Sequence, residues 1–207
     1  ILMQPVLPKF SFELQKQLNV KDLRWNDINF ELKNHKINKE KILIKKIEEE
    51  KEKTEEFPLN LKVGRIIAVK NHPNAGKLII LDVDLGKEKR QLVAGLKNYY
   101  ANEELLNKKI IVVSNLKPAK LRDVESKGML LAADDGKNVG LLTAKNAEPG
   151  DIASFNNLKN SYKEITFENF LKIKIIAKDS RVFYDNKELK VNKEHVFVEK
   201  VKNGKVR

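Results

Sequence analysis

Hydrophobic residues follow a sparse, helix-like pattern over residues 1–56. Leu14 and Leu18 stand at helical spacing, one turn apart on the same face. Ser11 is a candidate cap for the start of this helix, and Asn19 is a candidate stop. The pattern therefore predicts one short helix near the beginning of the chain.

The rest of this first segment offers little from which to build a core. Three isoleucines between residues 42 and 47 are followed by mixed charges over 48–56, which have no apolar face to bury. Trp25, the only tryptophan, is interpreted as a packing anchor. Residues 1–56 contain too few apolar residues to fold alone, so we expect them to complete the helices of another protein.

From Leu59 onward the pattern changes to short β-rich runs broken by Gly, Asn and Asp. A short helix, Asn102–Leu106, is predicted between the third and fourth strands. The predicted strands are Leu61–Val69, Leu78–Leu85, Gln91–Ala94, Lys109–Val113, Met129–Ala132 and Gly140–Thr143. About five strands with a helix after the third match the order of an OB-fold barrel, a scaffold that often binds oligonucleotides. We assign this domain to residues 57–155.

Residues 156–207 predict a small β unit with few core residues. After a polar connector, Asn156–Ser161, the predicted strands are Lys172–Ile176, Arg181–Tyr184, Leu189–Val191 and His195–Val198, with a tight turn at Asp185-Asn186. So small a unit is expected to pack on the barrel rather than stand free. The predicted fold is therefore mainly β: a barrel with an N-terminal helical segment and an appended β unit.

Composition excludes several classes of protein. No apolar run approaches the roughly 20 residues of a membrane span, and the first residues lack a signal-peptide pattern. A cytoplasmic protein with no membrane partner is the expectation. The absence of cysteine excludes disulfides, and three scattered histidines make a zinc site improbable. We predict no metal and no cofactor.

The chain carries a net charge of +12, which favours an anionic partner. Residues 1–56 contain 12 basic and 11 acidic side chains, residues 57–155 contain 16 and 11, and residues 156–207 contain 13 and 7. The positive excess thus lies in the last two segments.

One basic loop, residues 115–129, concentrates candidate binding chemistry after the predicted strand Lys109–Val113. Lys117, Lys120 and Arg122 crowd this loop, with Ser126 and Met129 close behind. Such a cluster at the end of a strand suits a polyanion, although surface lysines are often no more than solvated charges.

Several ordered blocks resemble the EMAP-like tRNA-binding domain. They are Leu61–Ile66, His72–Leu78, Val83–Gly86, Arg90–Leu96, Asn115–Pro118 and Ser126–Met129. That family is an OB-fold found at the C-terminus of many methionyl-tRNA synthetases and in stand-alone synthetase cofactors. The match covers about the middle half of the chain, and it implies tRNA as the partner, bound near the outer bend of the molecule.

The flanking segments are similar to neighbouring parts of that family. Residues 5–19 and His35–Ile47 look like the end of a methionyl-tRNA synthetase anticodon-binding region, although this chain has Leu43-Ile44 where Leu-Phe is usual. The tail is similar to the extension of cytokine-related members, where it imitates a partner subunit. This implies that the barrel needs no second copy of itself.

The resemblance implies which residues meet tRNA. The predicted binding residues are Lys77, Asn115, Lys117, Lys120, Arg122, Ser126 and Met129, and the candidate additional contacts are Asn74, Lys87, Lys89 and Arg90. The cations would contact phosphate, which positions RNA without reading bases. Asn115 is better suited to bracing the loop, His72 reads as a turn residue, and Met129 could merely fill the barrel end. Aromatic stacking platforms are scarce, which favours recognition of folded tRNA shape.

Neither of the two ATP-binding signatures of class I synthetases, of the HIGH and KMSKS types, occurs in the sequence. The chain is therefore interpreted as a non-catalytic tRNA-binding subunit or portion of a methionyl-tRNA synthetase, docked on the catalytic subunit through residues 1–56. Two alternatives stay open: a free-standing structure-specific tRNA-binding or chaperone protein, and a cytokine-like protein-interaction module.

Overall fold

The computed structural model describes residues 5–21, 26, 33–40, 42, 56–156 and 158–207. The chain divides into two compact units, Ile1–Lys51 and Glu52–Arg207. Trp25 lies outside the described residues. Among the described helices, none is long and apolar enough to cross a membrane.

The first unit contains one described helix, α1, spanning Pro8–Leu18. Pro8 stands at the start of the helix, where its missing N–H costs nothing. Asn19 ends the helix in a left-handed conformation (φ 53°), as the sequence predicted. The expected cap at Ser11 is wrong, because this residue lies inside the helix with its side chain buried and Leu7 occupies the cap position.

Residues 35–38 satisfy carbonyl groups at the end of α1. The ring Nε2 of His35 lies 2.7 Å from the carbonyl oxygen of Leu18, and the amide of Asn38 donates to the carbonyl oxygen of Lys16 (2.8 Å). The carbonyl oxygen of Lys16 also accepts from the Asn19 N–H (3.2 Å), so the side chains add to the backbone cap at this helix end. Phe12, Ile37 and Ile42 remain exposed on the described part of this unit.

The second unit is mainly β, as predicted. Its helices are α2 (Asn102–Leu105) and α3 (Phe167–Leu171). The strands before α3 are β1 (Glu56–Phe57), β2 (Leu61–Asn71), β3 (Ile79–Asp84), β4 (Lys89–Ala94), β5 (Lys109–Val113), β6 (Ala119–Leu121), β7 (Val124–Ser126), β8 (Met129–Leu130), β9 (Ala132–Asp134), β10 (Val139–Thr143), β11 (Ile152–Phe155) and β12 (Lys159–Asn160). Those after α3 are β13 (Ile175–Lys178), β14 (Arg181–Tyr184), β15 (Lys187–Val191), β16 (Glu194–His195), β17 (Phe197–Val198) and β18 (Gly204–Val206).

The long strand β2 organises the OB part of this unit. It pairs antiparallel with β3, β5 and β11, and β3 pairs in turn with β4. Residues of β3 alternate between buried and half-buried, so one face lies in the core. A Cβ atom at Gly64 would lie 2.5 Å from a methyl of Val83, which explains the glycine in the middle of β2.

The OB part is not closed into a barrel by a continuous strand ladder. β5 pairs with β8. Between β4 and the segment that precedes β8, single hydrogen bonds replace a strand ladder. One runs from the Lys127 N–H to the carbonyl oxygen of Gln91 (2.9 Å). The predicted strand order with a helix after the third strand is confirmed, whereas closure depends on these loop contacts.

Strands of the extension join β9 and β10 in a second, closed ring. The antiparallel pairs run β9–β10, β10–β17, β17–β14, β14–β13, β13–β18 and β18–β9, so the order returns to its start. Where β10 passes residues 198–199, a Cβ atom at Gly140 would fall 1.7 Å from the carbonyl oxygen of Glu199. Only glycine permits this approach. Residues 57–155 and 156–207 therefore share one sheet.

They also share one core. The rings of Phe57 and Phe155 lie 4.8 Å apart between centroids in an edge-to-face arrangement, and Phe57 makes an equivalent contact with Tyr184 of β14. Both phenylalanines are fully buried. The core of the extension is thus continuous with that of the OB part.

Several features of the second unit differ from the sequence-based expectation. The strand expected at Met129–Ala132 is divided into β8 and β9, and β11 was not expected. Residues expected to be a plain loop form the β6–β7 hairpin, and the strand expected at Lys172–Ile176 begins at Ile175, after α3. Thr166 caps α3 through a 3.4 Å hydrogen bond from the Asn169 N–H. The expected tight turn at Asp185-Asn186 is confirmed by positive φ angles at both residues.

Candidate nucleic-acid interface

The β6–β7 hairpin carries two exposed cations of the basic loop, Lys120 and Arg122. Its strands pair Lys120 with Glu125, and Arg122 and Asp123 form the turn with φ angles of 48° and 72°. Positive φ at both central residues is typical of a type I′ turn, whose twist matches that of the paired strands. Every residue of β6 is exposed, and so is Arg122 in the turn, so both cations are accessible to solvent.

These two cations have no carboxylate within ion-pairing distance among the described residues. Their charges are therefore available to an external anion. Lys117, at the start of the loop, lies 3.7 Å from the carboxylate of Glu164, and both side chains are well exposed. An ion pair so exposed is worth little, so a phosphate could replace the glutamate.

The hairpin lies along the edge of β4. The Gln91 amide donates to the carbonyl oxygen of Glu125 (2.7 Å), and the Val93 N–H donates to the hydroxyl oxygen of Ser126 (3.0 Å). That hydroxyl donates in turn to the carbonyl oxygen of Gly128 (2.9 Å). Ser126 is only 3% exposed and both of its hydrogen-bonding functions are engaged, so this geometry gives it a bracing role in place of the expected contact with RNA.

Arg90 holds both ends of the basic loop. Its Nη1 donates to the carbonyl oxygens of Ser114 (2.5 Å) and Lys127 (3.2 Å), while Nε and Nη2 donate to the two carboxylate oxygens of Glu88 (3.0 Å each). Four donated hydrogen bonds leave this guanidinium little capacity for phosphate. The structure therefore favours positioning over the expected direct contact for Arg90.

The carboxylate of Glu88 belongs to the same arrangement. Burial raises the pKa of Glu88, but the hydrogen bonds and charge of Arg90, together with those of Lys62 (3.3 Å), outweigh it and hold the pKa below its ordinary value. Glu88 thus stays ionised and fixes the Arg90 fork in place. Lys87 and Lys89, on either side, are exposed and unpaired among the described residues.

Asn115 braces the beginning of the loop. Its Oδ1 accepts from the Asn60 N–H (2.7 Å), and its Nδ2 donates to the carbonyl oxygens of Pro58, Ser161 and Lys163. The side chain is buried, so its partners are backbone groups of both the OB part and the extension. Met129, at the other end, is half-buried against the core.

His72 joins the β2–β3 loop to the tip of the hairpin. Its Nδ1 accepts from the Asn74 N–H (3.1 Å), which leaves Nε2 to donate to the carbonyl oxygen of Leu121 (3.1 Å). Leu121 stands between the two hairpin cations. Asn74 and Lys77, both exposed, are thereby brought beside the hairpin.

The candidate residues consequently lie along one edge of the sheet. Lys87 and Lys89 flank one end of β4, and Lys77 lies near the other end, where the hairpin tip is anchored. Six residues of strand separate the two ends, about 20 Å. Sequence reasoning named the cations of this edge but missed the clamp by Arg90 and the bridge by His72, since both depend on backbone carbonyls distant in sequence.

Comparison with known proteins identifies a related domain family. Residues 61–152 match the family described as "Putative tRNA binding domain". The match includes β2 to β10 and hence the complete hairpin, its clamp and the β2–β3 loop. The sequence resemblance to this family is confirmed.

Relatives of the tRNA-binding domain include methionine–tRNA ligases. This chain is 61% identical over 116 residues to that of Pyrococcus horikoshii, covering 49% of this chain and 16% of the ligase. It is 35% identical to that of Borrelia garinii subspecies bavariensis over 98% of this chain and 31% of the ligase. The chain thus corresponds to less than a third of these ligases, and its similarity to them extends beyond the tRNA-binding domain.

A solved structure resembles a large part of the chain. The C-terminal domain of Plasmodium vivax p43 superimposes with a TM-score of 0.65 at 25% identity, covering 72% of this chain and 96% of that domain. The OB part alone, residues 57–155, makes up less of the chain than this share. The structural likeness therefore includes residues outside the OB part.

Proposed function

We propose that this chain binds tRNA through the edge formed by the β6–β7 hairpin and the β2–β3 loop, with Lys77, Lys117, Lys120 and Arg122 contacting phosphates. The observation that carries the proposal is the pair of cations on the hairpin. They are exposed, they lack a carboxylate partner among the described residues, and they stand on a hairpin of a tRNA-binding domain whose base is held by Arg90.

Recognition is by shape and backbone in this proposal. Lysine and arginine contacts to phosphate fix the position of an RNA without reading its bases. The hairpin tip and the β2–β3 loop carry no Phe, Tyr or Trp, and His72 is buried, so sequence preference should be weak. The surface then raises the local concentration of tRNA for a catalytic partner.

The catalytic partner is proposed to be the remainder of a methionyl-tRNA synthetase. Phe12, Ile37 and Ile42 are exposed in the first unit, and apolar side chains of this size would be covered by docking. Residues 1–56 would make that contact. The chain itself would be non-catalytic, and its place in translation puts it in the cytoplasm.

The extension supports the proposal that the OB part needs no second copy. Four of its strands complete the ring that begins with β9 and β10. A homodimer would have to offer strands to the same edges, which are already paired. We therefore propose that the OB part does not form a homodimer.

The test is binding of the full chain to a fluorescein-labelled methionine tRNA transcript, followed by anisotropy. The Lys120→Gln, Arg122→Asn double variant should bind about tenfold more weakly, and the slope of log affinity against log salt should become less steep by about 1.4–1.8. Asn tolerates the left-handed turn, so the fold is kept. Lys202→Gln, an exposed lysine remote from the hairpin, is the matched control. Equal binding by the double variant and the wild type would refute the site.

A further inference from the structure

Tyr162 is exposed to a degree unusual for an aromatic residue. At 67% it has the highest exposure of the large hydrophobic side chains in residues 56–156 and 158–207. Within that part of the chain, no ring packs on it and no group hydrogen-bonds to its hydroxyl. The fold therefore gains little from this side chain.

The backbone around Tyr162 is nevertheless held firmly. The Ser161 N–H donates to the carbonyl oxygen of Phe57 (2.8 Å). The buried amide of Asn115 donates to the carbonyl oxygens on both sides, of Ser161 (3.2 Å) and of Lys163 (2.7 Å). A side chain presented from a fixed backbone loses less conformational entropy on binding than one on a loose loop.

This segment runs beside the start of the basic loop. Leu116 and Ile165 form a parallel bridge, in which the Lys117 N–H donates to the carbonyl oxygen of Ile165 (2.9 Å). Residues 161–165 therefore lie alongside Asn115, Leu116 and Lys117. They are the part of the extension that borders the proposed tRNA site.

We propose that residues 161–165 are part of the tRNA-binding surface, with Tyr162 stacking on an unpaired base and Lys163 contacting a neighbouring phosphate. This inference rests on the proposed function. Tyr162 would supply an aromatic ring for stacking, which the edge of β4 lacks. The OB part supplies phosphate contacts, and the extension adds one contact to a base.

The surrounding charge favours RNA as the occupant. Lys163 has no carboxylate partner in the described part of the chain, and Lys117 is one bridge away. An exposed aromatic ring next to a lysine has the composition of sites that stack bases while cations follow the backbone. Such stacking requires a base outside a helix, as in the loops or the single-stranded end of a tRNA.

Glu164 weakens the attraction of this surface for phosphate. Its carboxylate lies 3.7 Å from Lys117 Nζ and competes with phosphate for that cation. Replacing Glu164 with Gln should therefore tighten tRNA binding by about two- to fivefold, since an exposed ion pair of this kind contributes up to about 1 kcal/mol. This gain follows from the proposed contact of Lys117 with phosphate, so it tests the proposed function and not the stacking on Tyr162.

The experiment compares Tyr162→Ala, Tyr162→Leu and Tyr162→Phe in the full chain, using the labelled methionine tRNA transcript and anisotropy over a range of salt. Loss of stacking in the Ala and Leu variants should weaken binding at least about fivefold with an unchanged salt slope, and Phe should bind as the wild type does. Lys163→Gln should reduce the steepness of the slope by about 0.7–0.9. Phe197→Ala, half-exposed on β17, is the aromatic control. Circular dichroism verifies that each variant is folded.

The outcomes separate the two proposals. If the Lys120, Arg122 double variant binds weakly while Tyr162→Ala binds within twofold of the wild type, the extension contact is refuted and the proposed function stands. Wild-type binding by Tyr162→Leu refutes stacking. If the wild-type chain itself does not bind tRNA, the proposed function fails and this inference fails with it.

Discussion

The guanidinium of Arg90 donates a 2.5 Å hydrogen bond to the carbonyl oxygen of Ser114, at the end of β5, just before the basic loop begins. The same nitrogen reaches Lys127, where the loop returns. A single side chain of β4 thus fixes the span of a segment that carries three of the proposed phosphate contacts. Its own charge is meanwhile neutralised by Glu88.

Arg90→Lys should lower both stability and tRNA affinity, although Arg90 is not proposed to touch RNA. Lysine cannot bind Glu88 with two parallel bonds and hold two carbonyl groups as well. Losing hydrogen bonds from a charged group should cost about 1.5–3 kcal/mol of unfolding free energy. Urea denaturation and tRNA titration measure the two effects. Lys89→Gln, the exposed neighbour, should leave unfolding unchanged; if both variants unfold alike, Arg90 is not the clamp.

Arg122→Gly should raise stability while it weakens tRNA binding. The left-handed conformation at position 122 costs a non-glycine residue about 1 kcal/mol, and glycine removes this cost along with the charge. Thermal unfolding and tRNA affinity should therefore move in opposite directions. Asp123→Gly relieves the neighbouring strain but keeps the cation, and it should retain full affinity. A parallel fall of stability and affinity in Arg122→Gly would contradict this account.

Alkaline pH should destabilise the second unit through Tyr100. Burial raises the pKa of Tyr100 to about 12, and the negative charges of Glu199 and Glu104 also raise this pKa. The hydrogen bond from the Leu141 N–H to the hydroxyl oxygen lowers the pKa but does not outweigh burial. An unfolded tyrosine ionises near pH 10, so between about pH 10 and 12 the unfolded state releases a proton that the folded state keeps. Folding free energy is then lost as pH rises through this window.

The measurement is unfolding free energy against pH for the wild type and Tyr100→Phe. The variant should lose about 1 kcal/mol at neutral pH, because the Leu141 N–H loses its partner, and should show a shallower decline above pH 10. Absorbance at 295 nm gives a second readout, in which the variant lacks the last tyrosine to titrate. Identical declines would show that Tyr100 is not responsible.

Phe57→Ala should unfold the OB part and the extension together. The ring is fully buried against Phe155 and Tyr184, and removing such a ring costs about 3–5 kcal/mol. Because both parts share this core, a single transition at lower urea is expected with both far-ultraviolet circular dichroism and tyrosine fluorescence. Phe167→Ala, half-exposed on α3, should change stability by less than about 1 kcal/mol. Two separate transitions would mean that the parts fold independently.

Local periodicity was sufficient to predict β2 to β5 and β10 of the OB part. β3 and β5 have strong apolar runs bounded by turn residues, and each was located to within a residue. The β6–β7 hairpin was missed because β6 is exposed throughout and its turn uses Arg-Asp, without the glycine that usually signals a type I′ turn. Neither signal on which such a prediction relies is present there.

For the site, the residue types could be predicted from the sequence, but the contacts between residues far apart in the chain could not. That lysines and arginines near the basic loop could meet an anion was evident from the sequence. The sequence did not show which of these side chains lack a partner within the protein. Arg90 donates to carbonyl oxygens 24 and 37 residues away, whereas the Lys120 side chain has no partner among the described residues. The place of residues 161–165 beside Leu116 depends on a bridge across nearly fifty residues, which no local pattern encodes.

The ring shared by β9, β10 and four strands of the extension bears on how this protein can be shortened. A chain ending at Phe155 would keep every residue of the matched family, yet it would leave β9, β10 and β11 each with an open edge. Exposed edges of that kind pair with other molecules. The family boundary therefore does not mark a severable module, and expression trials that stop there should yield self-associating material.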